Sequence, residues 1–77
     1  MTYSETDLLV CDILDLERDL LATLRDIQSP HPRGPTKDEL QIYAYACSEK
    51  LSILYGKFKD VTGEEFDTRT QVRKLSR

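Results

Sequence analysis

Apolar positions in the first third of the chain return every three or four residues, at Leu9, Ile13, Leu16, Leu20, Leu24 and Ile27. That is the period of an amphipathic α-helix. Ser4 followed by Asp7 resembles a capping box ahead of the run, so the spacing predicts a helix from about Glu5 to Ile27. A second periodic run holds Leu40, Tyr43, Ala44, Cys47, Leu51, Leu54, Tyr55 and Phe58. It follows Thr36-Lys37-Asp38-Glu39, a full capping-box match, and predicts a helix from about Lys37 to Asp60. All three prolines lie in Ser29-Pro30-His31-Pro32-Arg33-Gly34-Pro35, which cannot continue a helix, so residues 28–36 read as a loop.

Beyond Val61-Thr62-Gly63 the pattern thins. Thr62 with Glu65 offers a third capping box, but Phe66, Val72 and Leu75 make no clean apolar face. Acids come first in this segment and Arg69, Arg73, Lys74 and Arg77 come last, an order that favours a short helix through the helix dipole. The expected fold is therefore all-α and a single domain spanning residues 1–77. Two long helices form an antiparallel hairpin, and a short helix or tail covers residues 62–77.

Placed on a wheel, the apolar arc of the first helix runs from Leu16 through Leu9, Leu20, Ile13, Leu24, Val10 and Leu21 to Leu14, roughly 160° wide. One partner helix cannot cover that width. The second helix carries a further apolar strip, Ile42, Ala46 and Ile53, away from its main face, and Tyr45 also turns outward. Three arrangements would cover the excess: a homodimer forming a four-helix bundle, a complex with another protein, or a tail folded back over the hairpin. The tail's shortage of apolar residues favours the first two.

Glu17 falls near the centre of the first helix's apolar arc, where a carboxylate needs a hydrogen-bonding partner. A hairpin turning near residues 28–37 sets Glu17 level with Cys47, which nominates Tyr43 or Lys50. Tyr43 and Tyr55 read as boundary residues with inward rings and wet hydroxyls. Asp12, Asp15, Asp19 and Asp26 share the opposite side of the first helix and form either a solubilising face or a docking stripe for a basic surface.

Charge and composition narrow the function. The 77 residues carry a formal net charge of −3, with nine acids against four bases in residues 1–40 and five against seven in 41–77. An acidic balance argues against general affinity for nucleic acid or anionic membrane. The longest apolar run, Leu8-Leu9-Val10-Cys11, is far short of a membrane span, so a cytoplasmic protein is expected. His31 sits between prolines with no acid to orient it, and neither Ser-His-Asp, Cys-His nor Glu-x-x-His patterns are present. Cys11 and Cys47 have no metal-ligand spacing and are expected as free thiols, Cys47 on the core face. No catalytic residue, cofactor or metal is expected. The reading is a small non-enzymatic adaptor, regulator or inhibitor that binds a protein partner or a second copy of itself. Asp12, Asp15, Asp19, Asp26, Ile42, Tyr45 and Ile53 are its candidate contacts, and a structural homo-oligomer or a nucleic-acid-associated regulator is the alternative.

Overall fold

The computed structural model describes residues 4–29 and 31–75, leaving aside the side chain of Leu75. It is an all-α chain of three helices: α1 (Glu5–Gln28), α2 (Lys37–Thr62) and α3 (Thr68–Leu75). The helices α1 and α2 pack together as a hairpin, and no strand occurs among the described residues. The molecule measures 42 × 24 × 20 Å, its long axis set by the two rods. Of the tail residues read from the sequence, Arg77 and the Leu75 side chain fall outside the described set.

The two long helices begin where the polar pattern places them. The Ser4 hydroxyl accepts from the Asp7 N–H at 3.1 Å while the Asp7 carboxylate accepts from the Ser4 N–H at 3.3 Å. Thr36 and Glu39 make the same reciprocal pair at 3.2 and 3.3 Å. Each box satisfies two backbone donors that the first turn leaves open. At the other end of α2, Gly63 adopts φ 75°, the left-handed conformation that costs glycine nothing, and its N–H reaches the Lys59 carbonyl at 2.7 Å. This stop lies two residues beyond the expected end. Thr62 stays inside the helix, its hydroxyl donating to the Phe58 carbonyl at 2.8 Å.

That placement overturns the third capping box. The Thr62 hydroxyl is turned to its own helix and to the N–H of Glu64 at 3.2 Å, so it cannot cap α3. Asp67 does so instead: its carboxylate accepts from the Arg69 N–H and its carbonyl from the Gln71 N–H, both at 3.0 Å.

The core has two unlike halves. Away from the loop, Val10, Ile13, Leu51 and Phe58 are buried together, with Leu9, Leu14, Leu16, Leu20, Leu54, Tyr55 and Phe66 against them. Toward the loop, the buried positions are Thr23, Leu40, Ala44 and Cys47, mostly small. Thr23 is buried without cost because its hydroxyl donates to the Asp19 carbonyl at 2.8 Å. Tyr43, expected on the apolar face, is half exposed.

The tail folds back further than its composition suggested. Phe66 meets Phe58 edge to face at 5.2 Å between ring centres and Tyr55 at 5.5 Å, so one aromatic residue closes the wide half of the core. The Thr68 hydroxyl, bonded to Glu17, gives α1 a second neighbour from within the chain. The cover is partial.

These differences make a stability test. Ile13 is fully buried, so Ile13→Ala should cost about 2–5 kcal/mol in a thermal or urea melt, whereas Leu24→Ala on the rim should cost less than about 1 kcal/mol. Gly56 lies within α2 with no atom within 4 Å of where a Cβ would stand, so Gly56→Ala should raise stability by about 0.5–1 kcal/mol.

Candidate protein-binding surfaces

Glu17 has partners, though not the expected ones. Its carboxylate accepts from the Tyr55 hydroxyl at 2.6 Å and from the Thr68 hydroxyl at 2.9 Å to each oxygen. Tyr43 and Lys50, the residues expected nearest its level, are not bonded to it. The reason is the lean of helical side chains: each points toward its own N-terminus, so in an antiparallel pair contacts form between residues displaced from the backbone level. Tyr55 reaches back along α2 and Glu17 back along α1, and the two tips meet. The Tyr55 hydroxyl is therefore engaged with protein rather than wet.

Three helices meet at this carboxylate. Burial pushes the Tyr55 phenol up to about 12, with the hydrogen bond to Glu17 and the Glu17 charge adding to it. Tyr43 is also raised from its ordinary value, first by the charge and hydrogen bonding of Cys47 one turn on, then by the charge of Asp19 across the hairpin.

The remaining predicted contacts lie on the surface. Asp12, Asp15, Asp19 and Asp26 are all exposed on α1, with Asp19 near enough to Tyr43 of α2 for its charge to act there, and Asp15 pairs with Arg18 at 3.2 Å. Such an exposed pair contributes little to stability. Ile42, Tyr45 and Ile53 are 71%, 68% and 61% exposed on α2, and Ala46 between them is exposed as well. The structure brings these α2 residues onto one strip, separate from the acidic side of α1. Cys47 is buried and Cys11 half buried, both as free thiols.

One surface was not read from the sequence. A groove of about 550 Å³ runs between α1 and α2 from Thr68 toward the loop. Leu14, Leu20, Leu21, Leu51 and Tyr55 line it, Glu17 and Thr68 lie at one end, and Arg18 and Arg25 stand on the α1 rim. It exists because Phe66 and Thr68 cover only part of the α1 arc. The signal was present in that arc's width, but where the cover stops depends on the path of the tail.

Among the described residues no group of three or more His, Cys, Asp or Glu side chains is placed to hold a metal ion, and no helix is long and apolar enough to cross a membrane. No protein-family model matches this chain, and neither does any curated protein or solved structure.

The Glu17 contact predicts a tyrosine titration. The protonated phenol of Tyr55 is the form the fold favours, so its contribution is intact below pH 10 and is lost as pH rises through about 12. Absorbance at alkaline pH should show a tyrosine step near 12 that Tyr55→Phe removes. In Glu17→Gln that step should move down yet stay above 10, because burial is the larger cause. A late step unmoved by the substitution would mean the contact does not form.

Proposed function

We propose that this protein is a non-enzymatic binder of other proteins, an adaptor, regulator or inhibitor working through its helical faces in the cytoplasm. The observation that carries the reading is the apolar surface left over after α2 and the tail have packed. Leu21 is 64% exposed on α1, and the strip of Ile42, Tyr45 and Ile53 stands on α2. Single exposed leucines are ordinary, but large apolar side chains aligned on one helix face of a 77-residue chain are a contact surface. Tyrosine and isoleucine there supply buried area at low entropic cost once covered.

Association of this kind also suits a small domain. With a thin core, any partner that covers the strip raises stability by mass action. A homodimer through the α2 strip is the second reading, supported by the same residues; exposed Glu49 stands on that face between Tyr45 and Ile53, so a self-contact must pair its carboxylate or leave it at the edge.

The discriminating variants are Ile53→Asp and Leu51→Asp. Ile53 is exposed and Leu51 is 4% exposed, so the first should abolish association while helicity by circular dichroism is kept, and the second should unfold the hairpin. Light scattering and affinity capture with the wild-type chain and the Ile53→Asp chain measure this. A wild-type chain that stays monomeric and retains nothing that Ile53→Asp loses would contradict the proposal.

A further inference from the structure

We propose that the groove between α1 and α2 is the seat of an amphipathic partner helix whose apolar face is flanked by acidic residues about seven positions apart. The inference deepens the protein-binding reading above by naming the partner's chemistry at a second surface.

The rim of the groove is built with helical period. Leu14, Arg18, Leu21 and Arg25 follow one another at intervals of four, three and four residues along one ridge of α1, and all four line the groove. Ridges of this spacing are what a facing helix packs against. Leu14 to Arg25 spans about 16 Å of helix axis, or three turns, and Arg18 and Arg25 lie about 10 Å apart along it. A facing helix repeats the same distance in seven residues, so two of its acids can meet both guanidiniums while its apolar residues descend onto Leu20, Leu21 and Leu51.

Charge decides between partners of equal shape. Arg25 has no ion-pair partner among the described residues. Arg18 holds Asp15 only through an exposed contact at 3.2 Å, with its own side chain 77% exposed, so it is available to a second carboxylate. The exposed neighbours on α2 one turn before Leu51 and Tyr55, Ser48 and Ser52, are small and neutral. The lining thus carries Arg18 and Arg25 on the α1 side and no charge from α2, with Glu17 at one end and Asp15 beside Arg18. At the end of the groove Glu17 is already satisfied by Tyr55 and Thr68, so the occupant faces no unpaired acceptor there. A guanidinium fork favours carboxylates and disfavours lysines in the same positions.

The test uses the full chain and two designed 21-residue amphipathic helical peptides with identical leucine faces, one flanked by glutamates and the other by lysines. Fluorescence anisotropy at low salt should show the acidic peptide binding about tenfold more tightly, as expected for two rim ion pairs. The double variant Arg18→Glu, Arg25→Glu should reverse that preference. Leu21→Asp should remove binding of both peptides without loss of helicity, since Leu21 is exposed in the free chain. Equal affinity for the two peptides, or no binding of either, would overturn the assignment. So would a dimer that Leu21→Asp dissociates, which would make a second copy the occupant, or competition by laurate alone, which would make it a fatty-acid site. Loss of association in Ile53→Asp is read separately on α2, so the groove can fail while the protein-binding reading stands.

Discussion

The carboxylate of Glu17 is the group on which the arrangement of the three helices depends. It lies in the apolar arc of α1, half buried, and must be hydrogen-bonded to remain there at tolerable cost. Its partners come from the other two helices: the Tyr55 hydroxyl from α2 and the Thr68 hydroxyl from α3. One side chain thereby fixes the relative height of α1 and α2 and the place where α3 begins. The described residues leave no buried side-chain polar atom unsatisfied, which this arrangement makes possible. A register slip of one turn would separate the Tyr55 hydroxyl from its acceptor and leave the carboxylate facing apolar neighbours.

Around that point the molecule divides. On the side away from the loop, Phe66 packs against Phe58 and Tyr55 and extends the core made by Val10, Ile13 and Leu51. On the side toward the loop, the seam is narrow, because Thr23, Ala44 and Cys47 fill it with small side chains. A narrow seam cannot shelter the flanks of α1, and Leu21 and Leu24 stay in solvent beside the groove. The open surface follows from the same sequence choice that closes the seam.

Much of this architecture is legible in the chain. Both long helices announce themselves through capping residues and sustained period, because these signals are local and the backbone must satisfy its terminal donors wherever the helix lies. The buried positions Val10, Ile13, Leu40, Ala44, Cys47, Leu51 and Phe58 fall on the faces the pattern assigns. What was not legible depends on distances between elements. The lean of side chains moved the partner of Glu17 from Tyr43 or Lys50 to Tyr55, and the cap of α3 moved from Thr62 to Asp67 once α2 ran on to Gly63. The groove was hidden for the same reason. The apolar width of α1 shows that a second neighbour is needed, whereas Phe66 and Thr68 decide how much of that width the tail covers.

The most direct test of the account is amide hydrogen exchange across the whole chain in Glu17→Ala. If the carboxylate ties α3 to the hairpin, exchange in α3 should accelerate strongly, while the central amides of α1 and α2, held by their own apolar seam, should remain protected. Unchanged protection of α3, or collapse of protection across all three helices together, would contradict it.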